Sequence, residues 1–252
     1  MSEPFSVRRG PDTWQSGARL AVLCSALLAP VALAGNFGIA PVRVELDGAQ
    51  RTAVLTVHNN DDAPLTVQVT ALKWTQPQGA DQTQATQELL VTPPVFTLPA
   101  HGEQVLRIAL RAERDAQRES AYRLLLSEVP AATDKDFNGL RMALRISVPV
   151  FILPPIHTQA QLQWRAQPQS DGTLAVSATN SGSAHLQVTD FNLDFGAPAL
   201  TAHVAVSRYV LPGSTITWTV TPPSAARPES GVSLRGASDQ GDFRASVTTA
   251  GH

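Results

Sequence analysis

The sequence predicts an all-β protein of two sandwich domains, preceded by an N-terminal signal peptide. Apolar and polar residues alternate with a period of two through most of the chain, which is typical of strands with one buried face. We find no stretch with the 3.6-residue period of a long helix, and clusters of turn residues separate the alternating runs. With 43% hydrophobic and 16% charged residues over 252 positions, the composition is that of a packed globular protein.

Residues 1–34 have the features of an export signal. A polar segment with three arginines precedes an apolar run from Leu20 to Ala34, which ends in a small-x-small cleavage pattern. The run is shorter than the roughly 20 residues that a membrane span needs, so we expect no membrane insertion. We predict cleavage after Ala34, which leaves an exported protein that begins at Gly35. The only cysteine, Cys24, lies inside this signal, so the exported protein is predicted to contain no disulfide.

The first domain is predicted to span residues 35–155. Turn-rich pieces such as Asn59 to Asp62 separate its strands, and Arg111 to Glu119 is predicted to be a polar loop. Strands are predicted at Val42 to Leu46, Leu55 to Val57, Val67 to Val69, Val105 to Leu110, Tyr122 to Leu126 and Leu140 to Ile152.

Two consecutive prolines, Pro154 and Pro155, interrupt the pattern and predict a stiff elbow that joins the domains at an angle. The second domain is predicted to span residues 156–252. Both domains have the size of an ordinary immunoglobulin-like sandwich. Strands of the second are predicted at Ala160 to Arg165, Thr173 to Thr179, His185 to Phe195, Val204 to Tyr209, Thr215 to Val220 and Phe243 to Thr248.

Charge and motifs exclude several functions. A net charge of −2 argues against nucleic-acid binding, because no excess of cations is present to neutralise phosphates. No nucleophile elbow, zinc-protease motif or glycine-rich phosphate loop is found, so we predict no catalytic residue, no metal and no cofactor. The histidines show no ligand spacing and are predicted to be exposed strand or turn residues; they are His58, His101, His157, His185, His203 and His252.

One predicted strand is unusual because it carries an unbroken apolar ridge. From Leu140 onward, large apolar side chains occupy every second position, with Arg141 and Arg145 on the opposite face. A core strand of the first domain is the alternative interpretation of this ridge, but Pro149 favours an edge strand, since a proline cannot donate to a sheet ladder. An apolar edge strand is an aggregation hazard unless a partner covers it. The ridge consists of Leu140, Met142, Leu144, Ile146 and Val148.

Several short motifs, in a fixed order and at characteristic separations, resemble one known family. They are Arg43 with Leu46-Asp47-Gly48, Val57-His58-Asn59, Leu90 to Pro94, Gln104 to Arg107, Arg118 to Ser120, Val148 to Phe151, and Tyr209 to Gly213. With these motifs the chain resembles the periplasmic pilus-assembly chaperones, the PapD-like family, over nearly all of its exported length. The resemblance implies a periplasmic location.

The resemblance also implies a mechanism and partners. Such chaperones stabilise immunoglobulin-like pilus subunits that lack a final strand by lending a strand of their own, and deliver them to an outer-membrane usher. The groove-filling residues of the lent strand would be Leu140, Met142, Leu144 and Ile146. Backbone pairing supplies affinity without demanding a particular sequence. Self-pairing of the free protein through the ridge stays an open alternative.

Family members hold the subunit's terminal carboxylate with two cations in the interdomain cleft. Arg43 matches the first cation, but the family's lysine falls at or beside Pro149, and no lysine is near. We predict that Arg123, on the neighbouring strand, replaces it, with Arg145 and Arg107 as reserves. A solvated sheet face is the alternative role for each of these arginines.

Glu119 resembles a family residue of a buried interdomain charge network, and Leu153 stands where the usual arginine partner is found. These departures resemble the alternate or archaic branch of the family. Two other classes stay open. An exported structural or adhesive two-sandwich protein should show an anchor or a sugar-binding aromatic cluster, whereas an exported hydrolase should show a catalytic grouping.

Overall fold

The computed structural model is built from β-strands in two sandwich domains. One short 3-10 turn at Pro77–Gly79 is the only helical element among the described residues, so the predicted all-β fold is confirmed. The described residues are 33–34, 37–47, 49–130, 141–156, 158–196, 200–224, 226 and 232–249.

The first domain consists of two main sheets around one core. One sheet has the order β3-β12-β10-β5-β6, with β8 also paired to β5, and the second has the order β2-β4-β9-β7. Fully buried side chains such as Leu55, Leu106 and Leu124 fill the space between them. The strands are β1 (Leu33–Ala34), β2 (Phe37–Ala40), β3 (Val44–Leu46), β4 (Thr52–Asn59), β5 (Leu65–Thr75), β6 (Gln82–Ala85), β7 (Leu89–Thr92), β8 (Val95–Leu98), β9 (Glu103–Leu110), β10 (Ser120–Val129), β11 (Arg141–Met142) and β12 (Arg145–Ile152).

The second domain wraps seven strands around its own core. The strand order is β16-β15-β18-β19-β13-β14-β17, and the parallel β13–β19 pairing joins the two halves. Trp164, Phe191 and Trp218 pack against one another in this core. The strands are β13 (Leu162–Pro168), β14 (Leu174–Asn180), β15 (Leu186–Asp194), β16 (Thr201–Val210), β17 (Thr215–Val220), β18 (Val232–Ser238) and β19 (Gly241–Thr249).

The predicted continuous strand from Leu140 to Ile152 is interrupted. Residues 143–144 separate β11 from β12, and Leu140 lies outside the described residues. At this break the Glu128 side chain takes part in the pairing: its Oε2 accepts the Leu144 N–H at 2.9 Å, while the Glu128 N–H donates to the Leu144 carbonyl at 2.9 Å. A side-chain acceptor thus replaces a backbone one, which explains the loss of regular strand geometry.

A hydrogen-bonded carboxylate joins three segments of the first domain. Glu88, between β6 and β7, accepts hydrogen bonds from Lys73 Nζ at 2.8 Å and from the hydroxyl of the buried Tyr122 at 2.6 Å. These two donors, Lys73 first, lower the pKa of Glu88. Burial and the Glu88 hydrogen bond raise the pKa of Tyr122.

Tyr122→Phe should lower the free energy of unfolding by about 1 kcal/mol at neutral pH, because a partly exposed carboxylate loses one donor. The folded state holds the pKa of Glu88 below its unfolded value of about 4.3, so this stabilisation is complete above that value and is lost as the pH falls through the folded pKa. Urea denaturation of variant and parent at about pH 7 and about pH 3 should therefore show a difference that shrinks in acid. A difference of equal size at both pH values would contradict this role for Glu88.

Candidate functional site

The cleft between the domains holds Arg43, the first predicted carboxylate ligand, just before β3. Its Nε lies 2.9 Å from Oε1 of Glu45 in β3. Its Nη1 lies 2.5 Å from Oδ2 of Asp239 in the β18–β19 turn of the second domain. Burial alone would lower the pKa of Arg43, but the hydrogen bond to Asp239 and the two carboxylate charges outweigh burial and raise it. Arg43 is therefore a permanent cation whose position both domains define.

Arg123, the second predicted ligand, lies on β10 directly opposite Pro149 of β12. The guanidinium carbon lies 3.8 Å from the centre of the Trp74 ring, which is a cation–π contact. Within the described part of the chain, no carboxylate approaches Arg123 closely enough to form an ion pair. Burial lowers the pKa of Arg123, against the opposing effect of Asp81. A half-buried cation without a bonded anion is a suitable ligand for an incoming carboxylate.

Tyr209 on β16 connects the two arginines. Its hydroxyl lies within electrostatic range of both guanidinium groups. Burial raises the pKa of Tyr209, although both guanidinium groups lower it, so the hydroxyl stays neutral and can act as donor or acceptor. Tyr209 belongs to one of the motifs that resemble the family, but no role was predicted for it. Its position beside the arginines depends on the contact between the domains, which the sequence pattern does not reveal.

The reserve arginines lie elsewhere. Arg145 is exposed and pairs with Ser127 at the end of β12 remote from the hinge, the link between the domains at Pro154 and Pro155. Arg107 belongs to the other sheet of the first domain, where it pairs with Val54 and Thr92. Of the three candidates for the second cation, Arg123 alone contacts the residues that line the cleft.

Glu119 lies in a buried network that continues to Arg43. Its Oε2 lies 2.8 Å from His185 Nδ1, and the two side chains are 1% and 7% exposed. His185 stacks on Phe151 with ring centres 3.6 Å apart, and its Nε2 lies 3.7 Å from Asp239, the partner of Arg43. Glu119 is therefore linked to the cleft through a histidine.

The prediction that His185 is an exposed strand or turn histidine is wrong. Phe151 covers one face of its ring, and carboxylates lie near both ring nitrogens, so the side chain is held inside the contact between the domains. His185 is the side chain that contacts the Glu119 carboxylate, whereas Leu153 carries no charge that could pair with it. Spacing along the chain gave no signal of this partnership, because residues 119 and 185 belong to different domains.

The open edge of β12 begins where β3 ends. β3 pairs only with Val150, Phe151 and Ile152, whereas residues 145–149 pair with β10 alone among the described strands. At β11 the parallel partner is β1, Leu33–Ala34, which belongs to the segment that the predicted cleavage removes. The backbone of β12 beyond the hinge is thus available on one side.

The apolar ridge passes from the core to the solvent along this strand. Val148 is 0% exposed, Ile146 and Leu144 are half-buried against the core, and Met142 is 55% exposed. Leu144 therefore belongs in part to the core of the first domain, because its side chain is half-buried and packs against that core. Met142, the described ridge residue farthest from the hinge, is therefore the most exposed of them.

Among the described residues, no group of three His, Cys, Asp or Glu side chains is close enough to hold a metal ion. No helix in the described part of the chain is long and apolar enough to cross a membrane.

Comparison with known proteins agrees with this fold. Residues 36–157 match the family model for the pili and flagellar-assembly chaperone, PapD N-terminal domain. A probable fimbrial chaperone LpfB of Escherichia coli O157:H7 is 28% identical over 147 residues, which cover 57% of this chain and 60% of that protein. The chaperone protein LpfB of Salmonella typhimurium is 28% identical over 179 residues, 69% of this chain and 71% of that one.

A solved structure shows the same fold over both domains. It is the CsuC–CsuE chaperone–tip adhesion subunit pre-assembly complex from the archaic chaperone-usher Csu pili of Acinetobacter baumannii, with 20% identity and a TM-score of 0.66, covering 86% of this chain and 100% of the matched chain. Residues 36–157 are thus similar to the N-terminal domain of the PapD-like pilus-assembly chaperones, a family of chaperones and not of enzymes. The resemblance predicted from the sequence is confirmed.

Proposed function

We propose that this protein is a periplasmic chaperone that captures incomplete immunoglobulin-like pilus subunits by lending them a β-strand and delivers them to an outer-membrane usher. The observation that carries the proposal is the combination, along the consecutive strands β11 and β12, of an open backbone edge at residues 145–149 with a ridge that becomes exposed toward Met142. A subunit that lacks a strand needs both backbone partners and apolar side chains for its groove.

The cationic cleft supplies the second part of the proposed site. A subunit chain that pairs along β12 toward the hinge would end near Pro149, beside Arg123 and Arg43. Its terminal carboxylate could accept charge-assisted hydrogen bonds from both guanidinium groups and fix the register of the lent strand. In this proposal Leu140, which lies outside the described residues, continues the ridge beyond Met142.

Co-expression with candidate fimbrial subunits of the same genome tests the proposed function. We expect a 1:1 complex to be recovered from the periplasm, and we expect the subunit to be degraded or aggregated when it is expressed alone. Subunits that accumulate equally well without this protein would contradict chaperone function. Addition of the purified usher should then release the subunit from the complex, whereas an unrelated outer-membrane protein should not.

The periplasmic form should begin at Gly35. Cleavage after Ala34 removes the apolar export segment and also β1, which frees the edge of β11. Intact-mass spectrometry of the protein released by osmotic shock measures the start directly. A form that retains Cys24, with or without lipid, would contradict the predicted cleavage site.

A further inference from the structure

The β5–β6 hairpin of the first domain reaches the second domain. At its tip Gly79 has a φ of +76°, and a Cβ atom there would lie 2.6 Å from the Thr215 carbonyl oxygen. Arg208 of β16 donates a hydrogen bond to the Gly79 carbonyl at 3.2 Å. The hairpin backbone therefore packs directly against the backbone of the second domain, and only glycine fits this approach.

Gln76 in this hairpin uses its buried amide to bind the edge of β16. Its Nε2 donates to the Tyr209 carbonyl at 2.9 Å, and its Oε1 accepts the Leu211 N–H at 2.9 Å. The carbonyl of one strand residue and the N–H two positions later lie on the same edge, where a neighbouring strand would bind both. β15 pairs with the other side of β16, so the Gln76 side chain occupies the place of the next strand.

The same amide also contacts residues next to the proposed carboxylate site. The second Nε2 hydrogen of Gln76 binds Asp81 Oδ1 at 2.8 Å, and that oxygen also accepts the Trp74 indole N–H at 2.9 Å. Trp74 is 2% exposed and carries Arg123 on its ring face. A continuous series of contacts thus runs from the backbone of the second domain through Gln76, Asp81 and Trp74 to Arg123.

We propose that Gln76 is a positioning residue that fixes the second domain on the first and, through Asp81 and Trp74, holds Arg123 for an incoming carboxylate. The part that concerns Arg123 rests on the proposed function. The part that concerns domain orientation depends only on the free protein. Both amide hydrogens of Gln76 and its oxygen have partners, and the partners define the amide orientation because carbonyl and carboxylate oxygens can only accept.

Residual dipolar couplings of the free exported protein test this role. In the parent we expect both domains to report one common alignment tensor. In Gln76→Glu, a carboxylate oxygen replaces the donor and faces two acceptors, so we expect two different tensors while each domain keeps its own fold. Gln84→Glu is the matched control, since it adds the same charge to an exposed position of the same hairpin and should leave the tensor unchanged.

A second measurement, the chemical shift of Arg123 Hε, reports on the position of Arg123. The ring current of Trp74 should shift the Arg123 Hε resonance upfield in the parent, and this shift should be reduced in Gln76→Glu and in Gln76→Ala, which removes the amide without adding charge. A common tensor together with an unchanged Arg123 resonance in both Gln76 variants would overturn the proposal. These measurements use no subunit, so a failure of subunit capture would leave them interpretable and would contradict the proposed function alone.

Discussion

A Met142→Glu variant should fold as stably as the parent protein and fail to capture pilus subunits. Met142 is 55% exposed at the solvent end of the ridge, so a glutamate there meets water in the free protein and should change the melting temperature little. In a complex the same carboxylate would have to enter an apolar groove without a partner, which is strongly unfavourable. Circular dichroism measures the melting temperature, and co-purification from periplasm measures capture.

Val148→Glu on the same face is the matched control with the opposite expectation. Val148 is 0% exposed, so the charge would be buried unpaired in the chaperone's own core and should unfold the first domain. Leu144→Glu should be intermediate, because Leu144 packs partly on that core. Unfolding of Met142→Glu, or normal capture by it, would contradict strand lending at this position.

The strand pattern was the most predictable part of the fold. Strands with one face in a core, such as β9 and β10, show clear alternation, because every second side chain points into the core and is apolar. β6 was missed because all four of its residues are exposed and none is a large apolar residue, which leaves no alternation to detect. β18 was missed because small residues follow Val232 and Leu234 in its second half.

The candidate site was predictable only in part. Arg43 follows from the family motif, and Arg123 follows from the expected neighbour relation of two strands, which the pairing of Arg123 with Pro149 bears out. Tyr209, His185 and Gln76 could not be assigned roles from spacing. Each acts across the contact between the domains, and residues 76 and 211 are brought together by tertiary packing that no local periodicity encodes.

The carboxylate site was also difficult to recognise because its charges are shared. In the free protein Arg43 is bonded to Glu45 and Asp239, whereas Arg123 has an aromatic ring in place of an ion pair. In the proposed function, this arrangement would balance part of the positive charge before a subunit arrives and would leave Arg123 for the incoming carboxylate. Charge counting along the sequence cannot distinguish this arrangement from a solvated sheet face, because the balancing Asp239 belongs to the other domain.

Arg43→Ala should weaken subunit binding by about 2 to 5 kcal/mol, because the subunit's terminal carboxylate would lose a charged partner inside a cleft. The ion pairs of Arg43 are partly exposed, so the melting temperature of the free protein should fall only slightly. Arg235→Ala is the matched control, since it removes an arginine paired with Asp194 at 3.1 Å on the exposed surface of the second domain, and it should not affect capture.

A double-mutant cycle identifies the group that Arg43 binds. Extending the captured subunit by two glycines moves its carboxylate away from the cleft, and this extension should weaken binding to the parent far more than binding to Arg43→Ala. The same cycle with Arg123→Met should show coupling if Arg123 is the second ligand, because methionine keeps much of the side-chain length without the charge. Losses that simply add in both cycles would mean that neither arginine contacts the carboxylate, and the register of the lent strand would then depend on the ridge alone.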